Sequence, residues 1–306
     1  MSGEEAAASG KGRRRLLYVL FGGCCMGTAD LIPGVSGSTM AYALGFYPRL
    51  VRALAGLIPV RGSRCRRWLA GIEWDFLVPL ALGMLLAAVA LLYVFDLPDL
   101  MRRHPQRLHA LFFGLVLGAV LMTLTQLPQR TAGTYVAIGA GLAAGLLAFP
   151  SQAAAPAETV SAGLLLLTGA FAGAAMLVPG ISGSYLLLVL GKYEFVLAAV
   201  ANLEVLVLLP FGTGVLCGLL TLARILHLLL QRSRFAMPFI GGLLLASLPQ
   251  IWPFRETAAA GGAAAAQLQL PDLFYGEHQL AALLMGAGLA AILQLHRAAA
   301  AAGNRN

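Results

Sequence analysis

Charge is what this sequence has least of. Only 11% of its 306 residues are Asp, Glu, Lys or Arg, and the mean hydropathy is +0.81. Average soluble chains carry about 25% charged residues, so polar side chains cannot cover a water-facing surface, and a soluble globular domain is excluded. Cysteine is scarce too. Cys24, Cys25, Cys65 and Cys217 suit neither a zinc site nor a disulfide framework and read as small apolar residues. No metal or cofactor is expected. No basic run is interleaved with exposed aromatics, so the net charge of +8 does not point to nucleic acid. Arginines in cytoplasmic loops facing anionic lipid explain it better. The N-terminus lacks the order of a signal peptide, in which a short apolar stretch precedes a small-residue cleavage site.

Long apolar runs are what the chain does have. A bilayer core of about 30 Å needs about 20 mostly apolar helical residues. On that measure 76–95, 109–127, 134–149, 203–230, 235–252 and 279–295 are predicted spans. Two further apolar stretches, 16–58 and 161–201, are longer and interrupted. The first is broken at Pro33-Gly34-Val35-Ser36-Gly37-Ser38 and the second at Pro179-Gly180-Ile181-Ser182-Gly183-Ser184. The low-complexity Ala/Gly stretch 258–266 reads as part of a loop.

The two breaks stand 146 residues apart, and Leu44-Gly45-Phe46-Tyr47 matches Leu190-Gly191-Lys192-Tyr193 at the same offset. Each half therefore reads as a broken segment followed by three spans, the mark of an internal duplication. If both broken segments enter and return, sixteen of the 21 Lys and Arg fall on one side with the N-terminus. These are Lys11, Arg13 to Arg15, Arg49 to Arg67, Arg130, Arg224, Arg232, Arg234, Arg297 and Arg305. Arg102, Arg103, Arg107, Lys192 and Arg255 fall on the other. Crossing segments would split the arginine group, against the positive-inside rule. Three crossings per half invert the second repeat relative to the first, as in many secondary transporters. The expected fold is an all-α polytopic membrane protein of two inverted-topology repeats, each a re-entrant helical hairpin plus three transmembrane helices. Residues 1–15 form a disordered cytoplasmic tail, 16–150 the first repeat, 151–297 the second, and 298–306 a C-terminal tail.

The breaks carry the chemistry. Pro33 and Pro179 end or kink an incoming helix. Gly34, Gly37, Gly180 and Gly183 let backbone turn and approach a ligand. Ser36, Ser38, Thr39, Ser182 and Ser184 offer hydroxyls. Irregular backbone at membrane depth needs protein or a wet cavity around it, and free N–H groups beside hydroxyls suit an anion, phosphate above all. Asp30 lies in an apolar stretch, where an ionisable group marks function. It either pairs with an arginine, carries a proton or caps the broken helix. Tyr47 with Arg49 and Arg52, and Lys192 with Tyr193 and Glu194, follow the two breaks and either hold a head group or anchor the interface.

Together, residues 27–39 with 44–47, and 176–184 with 190–194, resemble the DUF368 family of polyprenyl-phosphate transporters. Ser38 stands where that family carries a second glycine, and Pro48 where it often carries an acid. The resemblance implies a multi-pass protein of the bacterial cytoplasmic membrane, N-terminus inside. It would return undecaprenyl phosphate from the outer to the inner leaflet for reuse in cell-envelope glycan synthesis. Its partners would be that lipid and the bilayer, with a proton gradient or the membrane potential as the drive. Two alternatives compete. One is a small-anion transporter. The other is an undecaprenyl-pyrophosphate phosphatase, whose similar motif carries an arginine where Gly37 and Gly183 stand here and is accompanied by paired glutamates. Without that charge-neutralising group phosphoryl transfer lacks its electrostatic support, so no enzyme is expected.

Overall fold

The computed structural model describes residues 3–32, 35–59, 65–95, 99–100, 103–125, 127, 130–148, 161–254, 271 and 275–303. All regular elements among them are helical. In chain order they are α1 (Gly3–Asp30), α2 (Gly37–Ala43), α3 (Tyr47–Ala55), α4 (Cys65–Gly71), α5 (Trp74–Val89), α6 (Pro105–Thr125), α7 (Ala132–Ala148), α8 (Ala162–Leu177), α9 (Gly183–Val189), α10 (Tyr193–Ala201), α11 (Val205–Arg232), α12 (Ala236–Ser247) and α13 (Gly276–Gly303). A π-helical turn, Ala90–Val94, extends α5, and a 3-10 turn, Leu248–Ile251, extends α12.

The expected spans coincide with α5, α6, α7, α11, α12 and α13. Three helical segments, Pro105–Thr125, Val205–Arg232 and Gly276–Leu295, are long and apolar enough to cross a membrane, and four shorter apolar helices accompany them. Two features depart from expectation. Helix α1 begins at Gly3 and so takes in residues 3–15, which the composition suggested were disordered. Helix α4 forms in the basic loop, where no element was expected. The stretch 258–266 lies outside the described residues.

Polarity is turned inside out. Leu85, Leu147, Leu206 and Leu209 are exposed, while Ser36, Ser38, Thr39, Thr168, Ser182 and Ser247 are buried. A lipid-facing surface and an interior holding polar groups explain both, because hydrocarbon offers no partner to a hydroxyl.

Four helix pairs dominate the packing: α1 with α5, α8 with α11, α6 with α13, and α7 with α12. Matching the halves helix for helix (α1 to α8, α5 to α11, α6 to α12, α7 to α13) exchanges the first pair with the second and the third with the fourth. The glycines at these contacts repeat as well. A Cβ on Gly23 or Gly27 would overlap the carbonyl of Leu80 or Met84 on α5. One on Gly169 or Gly173, each 146 residues on, would overlap that of Phe211 or Val215 on α11. Small residues at these places let the backbones touch, which supplies helix association where lipid removes the hydrophobic drive. Helices α5 and α11 share a second register, at an offset of 131: Glu73 and Glu204 are their N-caps, Pro79 and Pro210 their internal prolines, and Gly83 and Gly214 their contact glycines. The insertion that contains α4 accounts for the change of offset.

Candidate functional site

Both breaks are built alike. Helix α1 ends at Asp30, and the chain turns through the Ile32 N–H to Ala29 carbonyl bond before α2 begins after Ser36. Helix α8 ends at Leu177, and Gly180, at φ +90°, turns the chain into α9. That φ is one that L side chains rarely adopt. Ser36 Oγ lies 2.8 Å from Ser38 Oγ, and Ser182 Oγ lies 2.8 Å from Ser184 Oγ. Two hydroxyls sharing one hydrogen bond leave one O–H free to donate. After each short helix a glycine with positive φ, Gly45 at +79° and Gly191 at +64°, turns the chain into α3 or α10. Pro33 and Gly34, named from the sequence, lie outside the described residues.

The two breaks meet. The buried Gly180 N–H donates to Thr39 Oγ1 at 2.8 Å, and Tyr47 OH donates to the Leu177 carbonyl at 3.0 Å. Thr39 and Tyr47 belong to the first break and its returning helix, and Leu177 and Gly180 to the second. Pro179 and Tyr47 are fully buried where the halves join. An apolar cavity of about 380 Å³ adjoins the first break, lined by Phe21, Ile32, Met40, Leu44, Phe112 and Ile292 among others.

Charge separates the two breaks. Asp30 Oδ1 accepts the Gly37 N–H at 2.6 Å, so of the three roles open to it the carboxylate takes the capping contact. The residue 146 further on is Met176, and its side chain lies against Gly183 as the Asp30 carboxyl lies against Gly37. Lys192 shows the reverse asymmetry, because Phe46 holds its place in the first half. Lys192 is only 7% exposed, and among the described residues nothing pairs with its side chain. Tyr193 begins α10 and is half-buried. The Glu194 side chain lies outside what is described.

Arg49 is already engaged. Its Nε donates to Glu73 Oε2 at 2.8 Å, a terminal nitrogen lies 3.4 Å from Asp75 Oδ2, and the guanidinium sits 4.3 Å from the Phe76 ring centre. Arg52 Nε donates to the other Glu73 oxygen at 2.9 Å. Desolvation pushes the Glu73 carboxyl up, but hydrogen bonds from Arg49 and Arg52 outweigh it and hold the acid below its ordinary value. On the opposite-side group named above, Arg107 and Glu277 join α6 to α13 through two hydrogen bonds, of 3.2 and 2.8 Å. Sequence reasoning left Thr39 without a partner and saw no bond between the breaks. No one-dimensional signal marks a contact across 141 residues. No group of His, Cys, Asp or Glu suited to a metal ion occurs among the described residues.

A family model described as VCA0040-like, undecaprenyl phosphate translocase-like, matches residues 26–267. A polyprenyl-phosphate transporter of Vibrio cholerae is 36% identical over 245 residues, which cover 77% of this chain and 77% of that protein. One of Staphylococcus aureus is 34% identical over 252 residues, covering 77% of this chain and 86% of that protein. No solved structure matches the chain.

Proposed function

The chain belongs to the VCA0040-like, undecaprenyl phosphate translocase-like family, and from that premise we propose that it moves a polyprenyl phosphate between the leaflets of the bacterial cytoplasmic membrane. The direction is inward, returning undecaprenyl phosphate for reuse in envelope glycan synthesis. The chain has two inverted repeats, each opening with a re-entrant hairpin, and its N-terminus is cytoplasmic. The exchange of helix pairs between the halves supports the repeat. The family is named for translocation, and the chain is not an enzyme.

Lys192 carries the proposal. Its side chain is largely covered and pairs with no acid among the described residues, so an anionic head group supplies the opposite charge that those residues do not. Lys192 stands at the far end of the short α9 from Ser182, about 10 Å at a rise of 1.5 Å per residue. The lysine collects the phosphate, and the serine hydroxyls and backbone N–H groups of the breaks receive it at mid-depth. Ser36, Gly37, Ser38 and Thr39 serve on the first side, and Pro179, Gly180, Ser182, Gly183 and Ser184 on the second. Asp30 already answers the Gly37 N–H, so the second break is the more receptive of the two. The prenyl chain stays in hydrocarbon, and the apolar cavity beside α2 gives its first units a place. Alternating access comes from one repeat rocking against the other about the bonds that join the breaks.

The test is inter-leaflet exchange of a fluorescent polyprenyl phosphate in liposomes, read with an impermeant outer-leaflet reagent. Wild type exchanges fast, while Lys192→Met and the pair Ser36→Ala with Ser182→Ala do not. Wild-type exchange no faster than in empty liposomes, across pH gradients and potentials, refutes the reading.

A further inference from the structure

A second cavity, of about 210 Å³, lies between α3, α4, the start of α5 and the last third of α11. Arg52, Gly56, Gly71, Glu73, Arg224 and His227 line it. At about 30 Å³ per water it has the room of roughly seven waters, enough for a phosphate group with part of its hydration. Trp68 Nε1 donates to the Gly56 carbonyl at 3.0 Å and so ties α4 to the rim.

The charges around this cavity do not balance. Glu73 is divided between Arg49 and Arg52, and Asp75 also answers Arg49. Arg224 is half-buried, and among the described residues it makes no ion pair or hydrogen bond. It stands two turns inside the end of α11 and lines the same space as Arg52, where two like charges repel unless an anion lies between them. A snorkelling arginine would extend along the lipid face toward water, whereas this one borders a cleft it shares with Arg52 and Glu73. His227 Nε2 lies 3.2 Å from Gln231 Nε2, and the ring adds a further nitrogen to the cavity wall.

We propose that this cavity is a phosphate-monoester site, with Arg224 and Arg52 as its cations, where the head group of a prenyl phosphate rests at the arginine-rich mouth. The lipid's identity rests on the translocation reading. The phosphate chemistry rests on the cavity alone. With Lys192 on the opposite-side group and the twin breaks between, the site completes a line of anion contacts through the protein. Arg49, which the sequence offered together with Arg52 for holding a head group, acts through Glu73 as a positioning residue.

The full-length protein in detergent is titrated calorimetrically with inorganic phosphate and, separately, with farnesyl phosphate. Arg224→Gln is expected to weaken binding about ten- to hundredfold, the worth of a hydrogen bond to a charged group. Arg224→Lys should recover part of the loss, since it keeps the charge and loses the planar fork. A parallel loss for both ligands assigns the site to phosphate as such, and a loss confined to farnesyl phosphate assigns it to the lipid head group. Unchanged binding of both by folded Arg224→Gln overturns the proposal. In wild type, phosphate should also slow modification of Arg224 by an arginine-specific dicarbonyl, read by mass spectrometry. Absence of protection overturns the proposal without any variant. Phosphate binding that depends on Arg224 in a protein that moves no lipid keeps this site and removes the translocation reading. Lipid exchange with no role for Arg224 does the reverse.

Discussion

Asp30→Asn isolates the charge at the first break. The 2.6 Å contact from Gly37 N to Asp30 Oδ1 is charge-assisted, and an amide oxygen in the same place keeps an acceptor there. Charge-assisted bonds are roughly twice as strong as neutral ones, which net about 1 kcal/mol, but the amide also sheds the desolvation cost of a buried charge, so the variant loses at most about 1 kcal/mol of stability. Asp30→Ala removes the acceptor altogether and costs about 1–3 kcal/mol. Anion binding moves the other way. A phosphate at Ser36 and Ser38 sits on the order of 6 Å from the carboxylate, where two unit charges repel by about 3 kcal/mol at an effective dielectric of about 20. Removing that repulsion tightens phosphate binding up to about a hundredfold. Calorimetric titration with inorganic phosphate, beside thermal melts in the same detergent, reads both quantities. The reasoning fails if Asp30→Asn binds phosphate no more tightly than wild type, or if it melts as early as Asp30→Ala.

Three further outcomes are expected. Tyr47→Phe leaves the Leu177 carbonyl without its donor and should cost about 1 kcal/mol, while Thr39→Val strands the buried Gly180 N–H and should cost about 1–3 kcal/mol; chemical denaturation of the two and of the double variant measures both and their coupling. Gly23→Ala and Gly169→Ala each push a Cβ into a facing carbonyl and should lower stability by about 1–3 kcal/mol, whereas Gly139→Ala in α7 meets open space and should raise it by up to about 1 kcal/mol; equal melts for all three would refute the close-contact account. Glu73, its acid held below the ordinary value, stabilises the fold above its unfolded pKa of about 4.3 and ceases to as pH falls through the lower folded value; melts between pH 6 and 3 should show a steeper acid loss in wild type than in Glu73→Gln.

How much of this the sequence held depends on the kind of signal. Apolar runs fix where helices lie, because length and hydropathy are properties of a segment, and α5, α6, α7, α11, α12 and α13 fall where those runs do. The duplicated breaks were legible because the glycines and serines recur at one offset. Helix α4 was hidden, since seven residues, two of them arginines, carry no periodic signal. The role of Asp30 was open in sequence and depends on the turn that brings Gly37 back to it. Arg49 and Arg224 show the same limit more sharply. In sequence Arg49 stands beside a motif and Arg224 inside a span, and only packing reveals that the first is neutralised by Glu73 while the second faces a cavity. Likewise the α5 and α11 register, with Glu73 and Glu204 as N-caps and Pro79 and Pro210 inside, escapes a search at a single offset because the α4 insertion shifts it.

The asymmetries between the halves bear on the transport cycle. Two identical inverted repeats would give inward- and outward-open states of equal energy, related by exchange of the halves. Here the backbone contacts largely keep that exchange, while the charged side chains break it. Met176 stands in the second half at the place of Asp30, Phe46 in the first half at the place of Lys192, and the insertion that contains α4 has no counterpart of its length in the second half. A ligand shifts a two-state equilibrium only through its differential affinity for the states. On the translocation reading, an anion that meets Lys192 on one face, Asp30 beside one break and the Arg224 cavity on the other face meets different energies in the two states. On that reading the shared backbone lets the repeats rock, and the unshared charges set where along the path the phosphate rests.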